Sequence, residues 1–452
     1  MKKKDLRSKE WFDNPKDPGL TALYLERYLN YGLKREDLQS GKPIIGIAQS
    51  GSDLSPCNRH FQALSNVIKD GIREAGGVPM EFPTHPIQET GKRPTAGLDR
   101  NLSYLSLVEV LYGYPIDGVI LTTGCDKTTP AALMAAATVN IPSIVLSGGP
   151  MLDGTYKGKK AGSGTIIWEA RRLHAKGEIS YEEFMDMAAA SAPSIGHCNT
   201  MGTASSMNSI AEALGMSLTG GAIIPAPYKE RESISFKTGK RIVEMVHEDL
   251  TPSKIMTKKA FENAIYVASA IGASSNCPPH LTAIARHMGI DFGIDNWEKL
   301  GHDIPLLVNC QPAGEHLMEG FFKAGGIPAI MQELMKNNKL HKDLMTVTGK
   351  TIAENLIEKI DIDENIIKSF KNPLVNNAGF IVMKSNFFNS AVMKTSVISS
   401  EFRKRYLSNP TSLNLFEANA VVFEGPEDYH KRINDESLNI DENSILMIRG
   451  CG

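Results

Sequence analysis

The chain has 452 residues, 42% of them hydrophobic, and a formal net charge of −2. This composition predicts folded domains with substantial cores and argues against a disordered chain. Lys and Arg total 49 against 51 Asp and Glu, and no basic stripe is interleaved with aromatic residues. Nucleic acid is therefore not an expected partner.

The sequence shows no segment typical of a membrane span or a secretion signal. Met1-Lys2-Lys3-Lys4-Asp5 is followed by charged residues rather than by an apolar run. The longest uncharged run, Thr128 to Leu152, is interrupted by Pro130, Pro142 and Pro150. We therefore expect a cytoplasmic protein with no membrane partner.

The first predicted elements are helical and then alternate between strand and helix. Residues 1–42 are charged and helix-like, which predicts a helical N-terminal arm. A strand is expected at Ile44 to Ala48, followed by a polar loop that carries Cys57. An amphipathic helix from His60 to Ala75 and a strand from Val78 to Phe82 complete this first unit.

A second unit of the same kind begins with the strand-like run Val119 to Leu121. A loop with Cys125 follows, and Thr129 is expected to cap the next helix with Pro130 at its first position. Another strand is predicted at Ile144 to Leu146. Two β-loop-α-β units imply parallel strands with right-handed crossovers.

These elements predict an α/β protein. A large domain over residues 43–371 is expected to contain a mostly parallel sheet flanked by helices. Short strand-like runs after about Asn372 predict a β-rich, barrel-like C-terminal domain over residues 372–452. Because the sequence stops directly after such a run, at Ile445 to Ile448, this domain is expected to be incomplete.

Three of the six cysteines share a local pattern. Cys57, Cys125 and Cys198 follow small or polar residues, precede Asn or Asp, and lie in loops ahead of helices. Helix N-termini favour thiolates. Each cysteine alone is better explained as a buried structural thiol, but three in matching settings favour metal ligation. Three thiolates would leave one iron of an iron–sulfur cluster open as a Lewis acid. Cys277, Cys310 and Cys451 lack the pattern and are expected to be structural.

The residues after Cys125 suggest a second ion. Alternation along the loop would turn Asp126 away from the thiolate and toward an ion with oxygen ligands. Glu89 is a further candidate ligand, although a solvated carboxylate is the simpler interpretation. Lys127 is a surface cation, a partner of a substrate carboxylate, or a carbamylated ligand, and the local sequence does not decide among these.

Six segments resemble the iron–sulfur sugar-acid and dihydroxy-acid dehydratases, a family that includes phosphogluconate dehydratase. They are Ser55-Pro56-Cys57-Asn58, Ala75 to Phe82, Gly124-Cys125-Asp126-Lys127-Thr128-Thr129-Pro130, Ser147 to Met151, Cys198 to Ser205, and Thr346 to Thr351. The resemblance implies that Cys57, Cys125 and Cys198 hold a [2Fe–2S] cluster, or in some relatives a [4Fe–4S] cluster. It also implies that Glu89, Asp126 and a carbamylated Lys127 hold Mg²⁺, and that the protein is a homodimer or homotetramer.

The reaction that this resemblance implies is dehydration of a 2,3-dihydroxy acid to a 2-keto-3-deoxy acid. Branched-chain dihydroxy-acid dehydratases carry an Asp-Gly-Ile-x-Met-Gly pattern where this chain has Gln88 to Thr95. Ser275 to His280 and Leu307 to Gly314 resemble the arabinonate and xylonate branch instead. We therefore expect a sugar acid as substrate, with the branched-chain precursor as the alternative.

The sequence differs from the family that it resembles in one respect. Members of the family continue beyond the position of Gly452, and the serine that is thought to act as base lies in that continuation. The sequence is thus expected to be a fragment, to need a second polypeptide, or to be an inactive metal-binding protein. A nicotinamide oxidoreductase is a weaker alternative because no GxGxxG follows a predicted strand.

Overall fold

The structure is a computed structural model that describes residues 5–87, 96–384, 386, 389–407 and 417–451. The described residues contain ten strands. In chain order they are β1 (Ile44–Gln49), β2 (Val78–Pro83), β3 (Gly118–Thr123), β4 (Ser143–Ser147), β5 (Gly154–Tyr156), β6 (Lys159–Ala161), β7 (Phe380–Met383), β8 (Ala391–Lys394), β9 (Asn419–Phe423) and β10 (Ser444–Ile448).

The helices fall mainly between the strands and across the middle of the chain. In order they are α1 (Lys9–Phe12), α2 (Pro18–Asn30), α3 (Arg35–Gln39), α4 (Phe61–Glu74), α5 (Ala96–Gly113), α6 (Thr128–Val139), α7 (Thr165–Ala175), α8 (Tyr181–Ala190), α9 (Thr203–Ala213), α10 (Lys229–His247), α11 (Pro252–Ile255), α12 (Lys258–Ala270), α13 (Cys277–His287), α14 (Asp295–Gly301), α15 (Met318–Lys323), α16 (Gly326–Lys336), α17 (Ile352–Asn355), α18 (Ser400–Phe402) and α19 (Pro426–Arg432). Two short 3₁₀ helices (Pro56–Asn58 and Glu436–Leu438) and a π-helical turn (Arg403–Leu407) complete them.

Four parallel strands form the central sheet, in the order β2-β1-β3-β4. Every residue of β1, β3 and β4 is buried, which is expected for parallel strands that are covered on both faces. The chain steps outward from β1 to β2 and then back past β1 to β3. Right-handed crossovers therefore place α4 on one face and α5 and α6 on the other. This confirms the predicted α/β class.

Helices α4 and α10 cross at two glycines. A Cβ added at Gly71 would lie 2.2 Å from the carbonyl oxygen of Phe236, and one at Gly239 would lie 2.4 Å from that of Ile68. The two backbones approach so closely that any larger side chain would force them apart. This contact places α10 beneath the sheet, where Ile242 and Val246 of α10 approach Gly118 of β3.

The start of α6 differs from the prediction. Thr129 was expected to be the N-cap and Pro130 the first residue, but the helix begins at Thr128, with Lys127 at the N-cap position. The loop turns back on itself, because Thr128 N donates to the carbonyl oxygen of Cys125 at 3.1 Å. The hydroxyl of Thr129 donates instead to Asn208 Oδ1 at 3.1 Å. Pro130 still fits, because the first turn of a helix does not use its N–H groups.

The residues divide into two compact units, Met1–Ser396 and Val397–Gly452. In the first unit, β7 and β8 form an antiparallel pair. In the second, β9 and β10 form a parallel pair, and α19 lies between them in sequence. The expected β-containing C-terminal region is thus present, while the boundaries at residues 42/43 and 371/372 stay predictions.

Candidate active site

The loops that carry the predicted ligands gather at the carboxyl edge of the parallel sheet. Cys57 lies in the 3₁₀ turn Pro56–Asn58 that follows β1, and Cys125 is the second residue after β3. Because parallel strands end at the same edge, neighbouring strands bring these two loops side by side. Open α/β sheets bind ligands at this position.

The Cys198 loop follows no strand and reaches the edge through backbone contacts. His197 N donates to the carbonyl oxygen of Gly149 at 3.0 Å, and Met151 N donates to that of His197 at 2.9 Å. These two bonds pair the loop with the residues that follow β4. The nearest preceding element is helix α8, so local sequence patterns could not place Cys198 beside the sheet.

The first two thiols are in direct contact. The hydrogen bond to Cys125, followed by burial and by the nearby charges of Cys125 and Cys198, raises the pKa of Cys57 far above its usual value. Cys125 is only 4% exposed. None of the six cysteines, all of which lie among the described residues, forms a disulfide. The structure therefore brings together the three sulfur-bearing loops that the sequence singled out.

Asn58 holds the loops of Cys57 and Cys125 together. Its Oδ1 accepts a hydrogen bond from Cys125 N at 2.9 Å, and Asn58 is fully buried. A Cβ at Gly124 would lie 2.3 Å from the same oxygen. Only glycine at position 124 leaves room for this side chain. Sequence reasoning did not single out Asn58, although its place directly after Cys57 was the available signal.

Asn208, on α9, connects the Cys125 loop to the helix that follows the Cys198 loop. Its Oδ1 accepts from Thr123 Oγ1 at 2.9 Å and from Thr129 Oγ1 at 3.1 Å. Its Nδ2 donates to the carbonyl oxygens of Gly124 at 3.1 Å and Ala204 at 2.9 Å. One buried amide therefore joins the Cys125 loop to α9, the helix that follows the Cys198 loop, and the sequence alone gave no signal for it.

Asp126 lies between the Cys125 thiol and the Lys127 ammonium. Asp126 Oδ1 is 3.3 Å from Cys125 Sγ, and Oδ2 is 3.1 Å from Lys127 Nζ. Both charged residues are 6% exposed. The carboxylate has not turned away from the thiol, contrary to the alternation expected from the sequence. A surface position for Lys127 is also excluded. Burying such a pair is costly unless further groups satisfy the charges, which is typical of a functional site.

Part of the predicted ion site lies outside the described residues, since Glu89 belongs to the segment 88–95. Among the residues that are described, no group of three His, Cys, Asp or Glu side chains is already arranged to hold a metal ion. The donor chemistry nevertheless fits both expected groups. Three thiols on adjoining loops suit iron, and a buried carboxylate with a modifiable amine suits a hard divalent ion.

A polar wall from helix α13 and its preceding loop faces these loops. Ser274 Oγ and Thr203 Oγ1 lie 2.8 Å apart, and Asn276 Nδ2 donates to Thr203 Oγ1 at 3.0 Å. Burial raises the pKa of Cys277 to about 12. Its structural role was expected, but its place beside the site was not.

Lys394, on β8, reaches the same wall. Its Nζ donates to the carbonyl oxygen of Gly272 at 2.6 Å, and burial lowers its pKa to about 8. The charge of Lys394 also acts on Cys277. A lysine more than a hundred residues away in sequence thus contacts the wall of the site, and no local motif marked it.

Comparison with known proteins identifies the family. The family model described as dihydroxy-acid/6-phosphogluconate dehydratase, N-terminal, matches residues 42–355, and the C-terminal model matches residues 365–452. The chain therefore belongs to the dihydroxy-acid/6-phosphogluconate dehydratase family. This is a family of enzymes that use an iron–sulfur cluster and Mg²⁺.

Three relatives show where in the family the chain falls. It is 60% identical over 446 residues to the D-xylonate dehydratase of Caulobacter vibrioides, covering 99% of this chain and 75% of the relative. It is 43% identical to the L-arabinonate dehydratase of Rhizobium leguminosarum bv. trifolii, covering 100% of this chain and 77% of that protein. The dihydroxy-acid dehydratase of Acetivibrio thermocellus is 37% identical, over 82% of this chain and 67% of that protein. The chain is thus more similar to these two sugar-acid dehydratases than to the dihydroxy-acid dehydratase.

Proposed function

We propose that this protein is a sugar-acid dehydratase that removes water from an aldonate such as D-xylonate or L-arabinonate. The C2 hydrogen and the C3 hydroxyl leave as water, and the resulting enol becomes the ketone of a 2-keto-3-deoxy acid. The observation that carries this proposal is the meeting of the loops of Cys57, Cys125 and Cys198 beside the buried Asp126–Lys127 pair. The identity of 60% to a D-xylonate dehydratase supports the substrate class.

The proposed ligands follow from the donor set. Cys57, Cys125 and Cys198 would hold the iron–sulfur cluster, as [2Fe–2S] with [4Fe–4S] as the alternative, and Asp126, Lys127 and Glu89 would hold Mg²⁺. When bound, the two groups would act as Lewis acids, which assists the departure of the hydroxyl and makes the hydrogen at C2 more acidic. Carbamylation of Lys127 by carbon dioxide would replace a buried cation with an oxygen ligand, which removes the repulsion between Lys127 and a metal.

The chain's own residues orient the substrate and exclude water. Asp126 and Lys127 are buried, so charges in the pocket interact more strongly than they would in water. Asn58 and Asn208 fix the loop between β3 and α6, which carries three of the proposed ligands. A fixed loop keeps the ligands and the substrate in one geometry without reorganisation during the reaction.

The test is turnover by the full chain after anaerobic purification and iron–sulfur loading. We expect kcat/KM for D-xylonate or L-arabinonate to exceed that for 2,3-dihydroxyisovalerate by at least tenfold, with a 2-keto-3-deoxy acid as product. Equal or better turnover of 2,3-dihydroxyisovalerate would instead support the branched-chain alternative. If the loaded protein turns over none of these acids, the interpretation as an inactive metal-binding protein is favoured.

We also propose that the protein is a homodimer or homotetramer. Helix α5 exposes an apolar stripe at helical spacing, with Leu98 48%, Leu102 47%, Leu105 56% and Tyr112 58% exposed. Such a stripe is typical of a surface that a second copy covers. Light scattering should give a mass of at least two chains, and Leu102→Glu should lower it. A monomeric wild type would exclude this assembly.

Two observations bear on the cellular location. Within the described part of the chain, none of the helices combines the length and the apolar character that a membrane span requires. We propose a cytoplasmic location because none of the six cysteines, all within the described ranges, is in a disulfide, as is usual in a reducing compartment.

A further inference from the structure

Helices α5, α6 and α13 pack side by side next to the candidate site. Thr138 Oγ1, near the end of α6, lies 3.1 Å from His287 Nδ1 at the end of α13 and 3.2 Å from Tyr104 OH in the middle of α5. These contacts fix the register of the three helices relative to one another.

The same register places His280 beside the first turn of α6. His280 precedes His287 by two helical turns, about 10 Å along the axis. On α6, Ala131 lies two turns before Thr138 and one turn after Lys127. The charge of Lys127 is close enough to contribute to lowering the pKa of His280. His280 therefore lies at the level of the Asp126–Lys127 pair.

Arg100 determines which nitrogen of His280 carries the hydrogen. Arg100 Nη1 is 2.9 Å from His280 Nδ1. A guanidinium can only donate, so Nδ1 accepts and the ring hydrogen is on Nε2. Burial also lowers the pKa of His280. The ring is therefore neutral near pH 7 and presents one N–H donor.

That donor has no partner among the described residues. His280 is 4% exposed, and its Nε2 is buried without a hydrogen bond. Buried polar groups in folded proteins are nearly always paired, so an unpaired donor near the Asp126–Lys127 pair points to a ligand atom as its partner. The neighbouring wall is also polar, because Asn276 and Thr203 are hydrogen-bonded at the start of α13.

We propose that His280 is a substrate-binding residue whose Nε2–H donates to an oxygen of the sugar acid, with Arg100 as its positioning residue. The inference rests on the proposed function and adds a residue to that site. A neutral donor selects for an acceptor oxygen at this point of the pocket. An apolar branched chain in the same position would leave the N–H unpaired.

The experiment uses the iron–sulfur-loaded full chain and D-xylonate. Kd is measured by calorimetry, and kcat and KM are measured separately. His280→Leu should lower the affinity and kcat/KM at least tenfold while the visible cluster absorption is unchanged. His280→Gln keeps an N–H donor near the Nε2 position and should stay within threefold of wild type. His247→Leu, at an exposed position near the end of α10, is the matched control and should stay within twofold.

Several results would overturn the assignment. If the Kd and kcat/KM of His280→Leu both stay within threefold of the wild-type values, His280 does not contact the substrate. If His280→Gln binds D-xylonate as weakly as His280→Leu does, the N–H of His280 is not the donor. If His280→Leu does not fold, the Arg100→Met variant is measured instead to test the role of His280. It leaves His280 in place and should weaken D-xylonate binding at least threefold, and an unchanged Kd contradicts the proposal. A wild type that binds D-xylonate but dehydrates neither D-xylonate nor L-arabinonate would refute the proposed function, while the variants' Kd values would still decide the role of His280. A wild type that binds neither acid would refute both proposals.

Discussion

Gly124 is the residue at which the Cys57 and Cys125 loops come closest. An added Cβ would lie 2.3 Å from Asn58 Oδ1, the atom that accepts from Cys125 N. We predict that Gly124→Ala breaks this bond, destabilises the protein by about 1–3 kcal/mol through overpacking, and lowers the iron content after loading. The melting temperature and the iron-to-protein ratio measure the two effects.

Gly293 provides the matched control for this substitution. A Cβ at Gly293 meets no atom within 4 Å. Gly293→Ala should therefore leave both the melting temperature and the iron content close to wild type. A Gly124→Ala protein with full iron content would show that the Asn58 contact is dispensable.

The thiols themselves can be tested one by one. Cys125 is buried and in contact with Cys57, whereas Cys451 is exposed. We predict that Cys125→Ser removes most of the visible iron–sulfur absorption, because a serine hydroxyl is a harder and weaker ligand for the cluster than a thiolate. Cys451→Ser should retain the full spectrum. An unchanged spectrum in Cys125→Ser would count against the ligand assignment.

At the scale of elements, Asn208 joins α9 to the loop between β3 and α6. Its side chain takes part in four hydrogen bonds, two of them to threonine hydroxyls and two to carbonyl oxygens. We predict that Asn208→Ala lowers the free energy of unfolding by about 2–4 kcal/mol, because it leaves several buried polar groups unpaired. Denaturant titration measures this loss.

A substitution at the neighbouring Ser209 serves as the control, because it changes a hydrogen bond within α9 only. Its hydroxyl donates to the carbonyl oxygen of Ser205 in the same helix, at 2.7 Å. Ser209→Ala removes a buried hydroxyl without breaking a link between elements, so the change should stay within about 0.5 kcal/mol. Equal losses in the two variants would mean that α9 and the Cys125 loop are not joined through Asn208.

At the scale of the whole molecule, two buried charges hold the segment after α9 against the sheet. Arg231 is fully buried and donates to the carbonyl oxygens of Ser147, at 2.6 Å, of Gly221 and of Ile224. Glu212 accepts from Gly220 N at 2.7 Å and Ala222 N at 2.9 Å. Burial raises the pKa of Glu212 from 4.5 to about 7.

This raised pKa makes stability depend on pH. The folded protein holds the proton of Glu212 more tightly than the unfolded chain. The resulting stabilisation is complete below about pH 4.5 and is lost as pH rises through about 7. Between pH 5 and 8.5 the free energy of unfolding of the wild type should fall by about 2 kcal/mol more than that of Glu212→Gln.

Denaturant midpoints of the two proteins across this range measure the difference. Comparing the two slopes of stability against pH cancels the contributions of other titrating groups. One of these is His60: burial lowers its pKa to about 4, so its contribution has the opposite sign. Parallel pH profiles would show that Glu212 has an ordinary pKa in the folded protein.

The central sheet could be predicted because its signals are local. The apolar runs of β1, β3 and β4 and the amphipathic pattern of α4 lie within the elements that they specify. The start of α6 was predicted wrongly because its first turn depends on contacts with Cys125 and Asn208. Helix caps are local signals only when no distant side chain competes for the capping hydroxyl.

The sequence by itself determined the parallel α/β sheet, the three candidate thiols and the family, because periodicity and short motifs are properties of neighbouring residues. Only the tertiary structure decided that the Cys198 loop pairs with the loop after β4, that Asn58 joins the Cys57 and Cys125 loops, and that Asn208 joins α9 to the Cys125 loop. It also decided that His280 and Lys394 lie beside the site. Each of these depends on contacts between residues far apart in the chain, where a residue's role is set by burial and by the partners that packing brings to it.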